Sequence, residues 1–170
     1  MFVLARLARV RSTAAWLAAA LLLTACMSLG PPLEQRTTQG PTARQFWTLK
    51  MMMANSREPS IDERRHWEDQ LDLEIQRYLT LHPEAANSLN VASFRFDKRV
   101  IAGMAKEQVL LLLGPPEGLT TDQGEMEKLA RKYWKEMQGG VTEAWVYPLG
   151  WRFFFTGANL KEITQYLERD

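Results

Sequence analysis

The sequence has a single cysteine, Cys26, and only two histidines, His66 and His82, among its 170 residues. One cysteine excludes an intrachain disulfide and a cluster of several metal-binding thiols. The histidines would lie at opposite ends of one predicted helix, about 24 Å apart, which is too far to share a metal ion. The sequence also lacks a nucleophile elbow and a phosphate-binding glycine loop. We therefore predict that the protein is not an enzyme and uses no metal or cofactor.

The sequence has no strong charge of one sign, since 21 Lys and Arg residues stand against 20 Asp and Glu residues. Residues 1–25 carry Arg6, Arg9 and Arg11 and no acidic residue. Without that segment the formal net charge would fall from +1 to −2. A generally basic surface is therefore excluded, and we predict no nucleic-acid partner.

The apolar run near the N-terminus covers only residues 14–23. It is shorter than the roughly 20 residues that a helix needs to span a bilayer. The run follows the three arginines, which favour the cytoplasmic side of a membrane. A basic segment, a short apolar run and small residues at its end are typical of an export signal. We predict that residues 1–25 are a signal peptide.

Leu23, Thr24, Ala25 and Cys26 follow at the end of this run, and they resemble a lipobox, the site at which bacterial lipoproteins are acylated and cut. The resemblance implies cleavage between Ala25 and Cys26, and acyl chains on Cys26, diacylglycerol and palmitate, that hold the protein on a membrane. Several acyl chains, at roughly 0.8 kcal/mol per buried CH₂, make a durable anchor. The alternative is an ordinary secretory signal, or an uncleaved anchor, in which the cysteine is incidental.

The residue after the cysteine is Met27. In lipoproteins of Gram-negative bacteria, an aspartate at that position favours retention in the inner membrane. We therefore expect the outer membrane, with the protein facing the periplasm. The lipidated N-terminus and a flexible tether are predicted over residues 26–42, which are rich in glycine and proline. Fully extended, residues 27–42 could reach roughly 50 Å from the membrane.

Residues 43–97 are predicted to form a helical N-terminal region. Thr42 and Gln45 have the spacing of a capping box, and the helix they begin is expected to end near Asn55. Its three methionines, residues 51–53, would make an adaptable surface for a partner or the membrane interface. Packing of this segment against its own domain is the interpretation that we prefer.

A second capping-box pattern, Ser60 and Glu63, predicts the start of a long amphipathic helix. Its apolar positions recur at spacings of four and three, so that they share one face; they are Trp67, Leu71, Ile75, Tyr78 and Leu79. Because proline disfavours a helical residue before it, Pro83 places the end near His82.

Residues 98–168 are predicted to be an α+β domain. A helix over residues 105–113 is stopped by a Gly-Pro-Pro sequence, and a third amphipathic helix runs from Met126 to Met137. Residues 141–147, 151–155 and 160–166 are rich in strand-forming residues and are separated by short turns. The predicted fold class is therefore α+β, with helices packed on a small three-stranded antiparallel sheet and preceded by the long amphipathic helix.

The side chains of the second of these strands are predicted to alternate between the two faces of the sheet. Trp151, Phe153 and Phe155 would point to one side of the sheet, and Arg152 and Phe154 to the other. Large aromatic side chains on both sides imply that the second face is also covered, either by this chain or by a partner.

Several of these segments carry motifs that resemble SmpA/OmlA (BamE)-like lipoprotein domains. The resembling segments, in order, are residues 103–109, 113–116, 144–148 and 153–160. The resemblance implies a BamE-like α+β fold, and an accessory role in outer-membrane protein assembly. The chain departs from the family pattern at Ala105, where a threonine is usual, and in a helical insertion at about residues 119–140.

Four aromatic residues are candidates for binding a partner protein, because large aromatic side chains often anchor interfaces: Trp145, Tyr147, Trp151 and Phe154. The competing interpretation is that they fill the core. We predict a lipid-anchored envelope protein that acts as a protein-binding adaptor or accessory factor. The alternatives are a periplasmic ligand-binding or inhibitory lipoprotein and a purely structural envelope protein.

Overall fold

The computed structural model describes residues 33–167, so the predicted signal peptide, Cys26 and the first part of the tether lie outside the described residues. Seven strands lie in this range: β1 (Leu33–Thr37), β2 (Gln39–Thr42), β3 (Arg99–Ile101), β4 (Gly118–Thr120), β5 (Glu143–Val146), β6 (Trp151–Thr156) and β7 (Asn159–Leu167). The same range contains six α-helices: α1 (Ala43–Asn55), α2 (Ile61–Leu81), α3 (Pro83–Ala86), α4 (Lys106–Leu113), α5 (Gln123–Ala130) and α6 (Trp134–Met137).

The main sheet is antiparallel and has five strands in the order β1-β7-β6-β5-β4. Strands β2 and β3 form a separate two-stranded sheet. The prediction of a small three-stranded sheet was therefore wrong, although the chain is α+β. The predicted meander is present as β5, β6 and β7, and the sheet is extended at both of its edges by β1 and β4.

Strands β1 and β4 could not be predicted from local sequence patterns, for physical reasons. Strand β1 pairs with the end of the chain, with Leu33 opposite Leu167, so no turn signal announces the pairing. Strand β4 has only three residues, which is too short for a period-two alternation to be recognised. Residues 33–42, assigned from composition to the flexible tether, instead form β1 and β2.

The two predicted capping boxes are confirmed. The Gln45 N–H donates to Thr42 Oγ1 at 3.3 Å, and the Thr42 N–H donates to Gln45 Oε1 at 2.9 Å. Ser60 and Glu63 exchange the same pair of hydrogen bonds at the start of α2. These bonds satisfy backbone donors that a helix start leaves unpaired.

The main core lies on one face of the five-stranded sheet, and both predicted regions of the chain contribute to it. Phe46 of α1 and Ile75 of α2 are buried in the same cluster as Val109 of α4 and Phe153 and Phe155 of β6. Helices α1 and α2 also contact each other, since the rings of Trp47 and Trp67 stack at 4.8 Å.

A second, smaller core covers the other face of the sheet. Phe154 is fully buried there with Ala144 against Met126 and Trp134 of the predicted insertion. The predicted division of the β6 side chains between two faces is confirmed. The second face is covered by helices of this chain itself, not by a partner. The insertion is two short helices rather than one, because the backbone turns at Arg131, whose φ is +55°.

Candidate functional site

Three of the four aromatic residues predicted to bind a partner lie in the core. Trp145 is 4% exposed, Tyr147 is 1% exposed and Phe154 is fully buried. Because buried side chains cannot reach a partner without unfolding, core packing accounts for these three. Trp151 alone remains partly exposed, at the start of β6.

The polar atoms of the buried aromatic residues are satisfied within the chain. The Tyr147 hydroxyl donates to the Gly114 carbonyl at 2.7 Å, and burial raises the pKa of that hydroxyl. The Trp145 indole N–H donates to the Glu143 carboxylate, which also pairs with Lys106. Burial by itself raises the pKa of Glu143, but the hydrogen bonds from Lys106 and Trp145 outweigh it and lower that pKa overall.

The exposed apolar residues around the second half of α1 form the candidate interaction surface. Met52 is 42% exposed and Met53 is 72% exposed, whereas Met51 is half-buried. The preferred interpretation from sequence, that this segment packs against its own domain, is therefore confirmed for Ala43 and Phe46, which lie in the main core, and wrong for Met52 and Met53. The turn between β5 and β6 adds Leu149, which is 48% exposed, and Trp151. We call this set the α1 surface; it comprises Leu49, Met52, Met53, Leu149 and Trp151.

Two open grooves meet along this surface, and Phe46 and Leu49 line both of them. The first groove has a volume of about 500 Å³ and extends from Met52 to Leu149 and Trp151. The second has a volume of about 380 Å³ and is lined by residues that include Met53, Pro115 and Pro148. The α1 surface is therefore concave on two sides of its exposed methionines.

Leu149 occupies a backbone conformation that a leucine rarely adopts. Its φ is +57°, and that of the following Gly150 is +73°. The turn closes where the Trp151 N–H approaches the Pro148 carbonyl at 3.4 Å. A left-handed conformation costs a residue with a Cβ roughly 1–2 kcal/mol, and glycine or asparagine avoids most of that cost. Ser56, Lys98 and Arg131 also have a positive φ, but Leu149 is the one of the four that is apolar. A half-exposed leucine in this conformation is unfavourable for folding, which makes Leu149 a candidate for a functional role.

The two cations that line the grooves, Lys50 and Arg44, are engaged within the chain. Lys50 Nζ donates to the Leu113 carbonyl at 2.8 Å, and Arg44 pairs with Glu68 at 2.6 Å. No group of three His, Cys, Asp or Glu side chains comes together to hold a metal within residues 33–167. The arrangement of the α1 surface is thus suited to binding apolar side chains.

The two histidines lie apart from these grooves and from each other. His66 is exposed on α2, and His82 stacks on Tyr78 at 4.3 Å while its Nδ1 lies 3.1 Å from Glu84. Sequence reasoning noticed residues 51–53 but missed Leu149, because nothing in the sequence marks a leucine as left-handed. The Leu-Gly pair between two strands was the available signal.

Among the helices of residues 33–167, none has the length and apolar character needed to span a bilayer. Comparison with protein-family models, with curated proteins and with solved structures finds no match to this chain.

Proposed function

We propose that the protein is a lipid-anchored component of the bacterial envelope that acts as a protein-binding adaptor through the α1 surface. The observation that carries the proposal is Leu149, an apolar residue kept half-exposed in a strained turn beside Met52. The fold would gain stability from asparagine or glycine at that position. A bound partner that covers the leucine offers a reason for its presence.

The envelope location and the anchor rest on the N-terminal sequence. An export signal that ends in Ala25 and Cys26 supports acylation of the only thiol in the chain. Met27 supports an outer-membrane location facing the periplasm.

An accessory role in outer-membrane protein assembly is a narrower proposal, supported by the resemblance to BamE-like domains. The resembling segments fall at α4 and along the β5-β6-β7 meander, in the order that the resemblance implies. Neither strand β1 nor the cover formed by α5 and α6 was part of that expectation. The adaptor proposal does not depend on the narrower role.

A periplasmic ligand-binding or inhibitory lipoprotein is the second candidate. The first groove, at about 500 Å³, falls in the size range of small-molecule sites and has polar side chains of Arg44, Gln45 and Gln165 in its lining. Both grooves open along the surface, however, and the space between sheet and helices is filled by core side chains. A surface of this shape favours a protein partner.

Site-specific photocrosslinking in intact cells tests the adaptor proposal. A crosslinker at Met53 should capture one defined protein, and the same group at Ala158, an exposed residue in the turn between β6 and β7, should not. Capture of nothing but lipid from position 53 would contradict the proposal. A small molecule that copurifies with the protein and blocks labelling at Met53 would favour the second candidate.

Replacement of Cys26 tests the anchor separately. Cys26→Ser should remove the mass of the acyl chains and release the protein from the membrane fraction. Mass spectrometry of the purified wild-type and variant proteins and membrane fractionation are the measurements. If the variant has the same location as the wild type and differs in mass only by the replaced side chain, the anchor is wrong.

A further inference from the structure

The most exposed methionines of residues 33–167 lie on the α1 surface. Of the six methionines in this range, Met52 is 42% exposed and Met53 is 72% exposed. Three others lie in the two cores and are at most 3% exposed: Met104, Met126 and Met137. An oxidant dissolved in water therefore meets the thioethers of Met52 and Met53 before those of the core.

The neighbouring Met51 is protected in two ways. Its side chain is half-buried, and Asn55 Nδ2 donates to its Sδ at 3.9 Å. A hydrogen bond to the sulfur engages a lone pair that an oxidant would need. The structure thus predicts an order of reactivity in which Met53 is first, Met52 second and Met51 third.

Hydrogen peroxide oxidises a thioether by transferring one oxygen atom to it. The sulfur lone pair attacks one peroxide oxygen, so that an S–O bond forms while the O–O bond breaks. The departing hydroxide takes up the proton of the attacked oxygen and leaves as water. Sulfur loses two electrons, and the peroxide gains two. The product is a polar sulfoxide, which methionine sulfoxide reductases convert back to methionine.

Each groove of the α1 surface has one of these two methionines in its lining. Met52 lines the first groove, and Met53 lines the second. Once a partner excludes water, a sulfoxide oxygen in either groove would need a hydrogen-bond donor. The cations that line the grooves, Arg44 and Lys50, are already engaged within the chain. An unpaired acceptor buried among apolar side chains should weaken binding by about tenfold.

Oxidation of these two side chains should leave the fold intact. Neither Met52 nor Met53 belongs to either core. The end of α1 is closed by the Ser56 N–H, which donates to the Met52 carbonyl at 2.9 Å, and this bond does not involve the sulfur. The effect of oxidation is therefore confined to what the α1 surface can bind.

We propose that Met52 and Met53 form a reversible oxidation site, through which hydrogen peroxide converts the α1 surface from a binding to a non-binding state. This inference rests on the proposed adaptor function. It adds a modification site and a means of regulation to the same surface.

Peptide mapping of the folded full-length protein tests the site. After brief exposure to hydrogen peroxide, trypsin cleaves behind Lys50 and Arg57 and releases residues 51–57 as one peptide. Fragment masses should show an added oxygen first on Met53 and then on Met52, while the three core methionines stay unmodified. In protein unfolded in urea, all six should react. Oxidation of a core methionine as fast as Met53 in the folded protein overturns the inference.

Capture of the partner before and after oxidation tests the regulation. Purified full-length protein with a photocrosslinker at Thr48, which lines the first groove, is oxidised alone, freed of peroxide and mixed with envelope extract from untreated cells. Capture of the protein identified in intact cells should fall by about tenfold and return after treatment with methionine sulfoxide reductases. Unchanged capture overturns this inference and leaves the adaptor proposal standing. Absence of capture before oxidation contradicts the adaptor proposal itself.

A double variant, Met52→Leu with Met53→Leu, is the matched control, because leucine is apolar, has a similar volume and contains no sulfur. Compared with its own untreated sample, its capture should not change with peroxide. A fall in this variant would place the sensitive group elsewhere and overturn the inference. Recovery of the wild type with the reductases keeps the test valid if the double variant binds weakly from the start.

The free energy of unfolding in urea separates a change of surface from damage to the fold. It should be the same for the wild-type protein before and after oxidation of Met52 and Met53. A lower value after oxidation would mean that binding is lost because the domain unfolds, and it would overturn the inference.

Discussion

The carbonyl oxygen of Tyr166 occupies the space that a Cβ atom on Gly150 would need. An ideal Cβ at position 150 would lie 1.7 Å from that oxygen, and the φ of Gly150 is +73°. The Tyr166 N–H donates to the Gly150 carbonyl at 3.0 Å. The turn therefore cannot move away from β7 without loss of this hydrogen bond. This contact joins the turn of the α1 surface to β7.

Gly150→Ala is therefore expected to destabilise the protein by about 3 kcal/mol, because it combines a backbone clash with a left-handed conformation. The measurement is the free energy of unfolding in urea. Gly157→Ala is the matched control, since Gly157 has a φ of +59° and no atom within 4 Å of its ideal Cβ. It should cost only about 1 kcal/mol. Equal losses in the two variants would show that the close contact with Tyr166 is absent.

The helices α5 and α6 are expected to be indispensable for stability although they occupy a predicted insertion. Phe154 is fully buried against them, so Phe154→Ala should lower the free energy of unfolding by about 3–5 kcal/mol. Phe96→Ala is the control, because Phe96 is 71% exposed and its loss should change stability by no more than about 0.5 kcal/mol. A small effect at Phe154 would mean that the second face of the sheet is not covered as described.

The sequence predicts the helices of this fold better than its sheet, for a physical reason. Capping boxes and apolar spacing are local signals, and they place the starts of α1 and α2 correctly at Thr42 and Ser60. The pairing of β1 with β7 joins Gln35 to Gln165 across 130 residues, and no local pattern encodes it. The polar sequence of β1 next to a Gly-Pro segment instead indicated a tether.

The candidate site was harder to predict than the fold. Aromatic content drew attention to Trp145, Tyr147 and Phe154, but a small sheet covered on both faces needs large side chains for its own cores. Exposure of Met52 and Met53 depends on how α1 packs against the sheet, which three methionines in sequence do not reveal. The strain at Leu149 is a property of the backbone that only the structure gives.

The capping-box carboxylate of Glu63 should titrate at an unusually acidic pH. The hydrogen bond from Arg57, followed by that from the Ser60 backbone N–H, lowers the pKa of Glu63 to about 2 from an ordinary value of 4.5. Because the folded-state pKa is the lower one, these bonds stabilise the protein above pH 4.5. That contribution is lost as the pH falls from 4.5 toward 2.

An NMR titration of the Glu63 side chain measures this pKa directly. Arg57→Gln should raise it toward 4.5, whereas Ser60→Ala should raise it less, since the backbone N–H of residue 60 still donates to the carboxylate. An unchanged pKa in Arg57→Gln would contradict the assignment of Arg57 as the main cause.

Leu149→Asn tests whether Leu149 contributes to folding or to binding. Asparagine adopts the left-handed conformation at lower cost than leucine, so the variant should be more stable toward urea by about 0.5–1 kcal/mol. It should also lose crosslinking from position 53, because the first groove loses its apolar wall at Leu149. Leu119→Asn is the matched control: Leu119 is 58% exposed on β4 with ordinary strand geometry, so stability should not rise and crosslinking should persist. A residue whose replacement improves the fold and removes the interaction is kept for the interaction. If Leu149→Asn instead lowers stability, the leucine serves the turn itself. If the variant leaves capture from position 53 intact, the α1 surface is not the binding site.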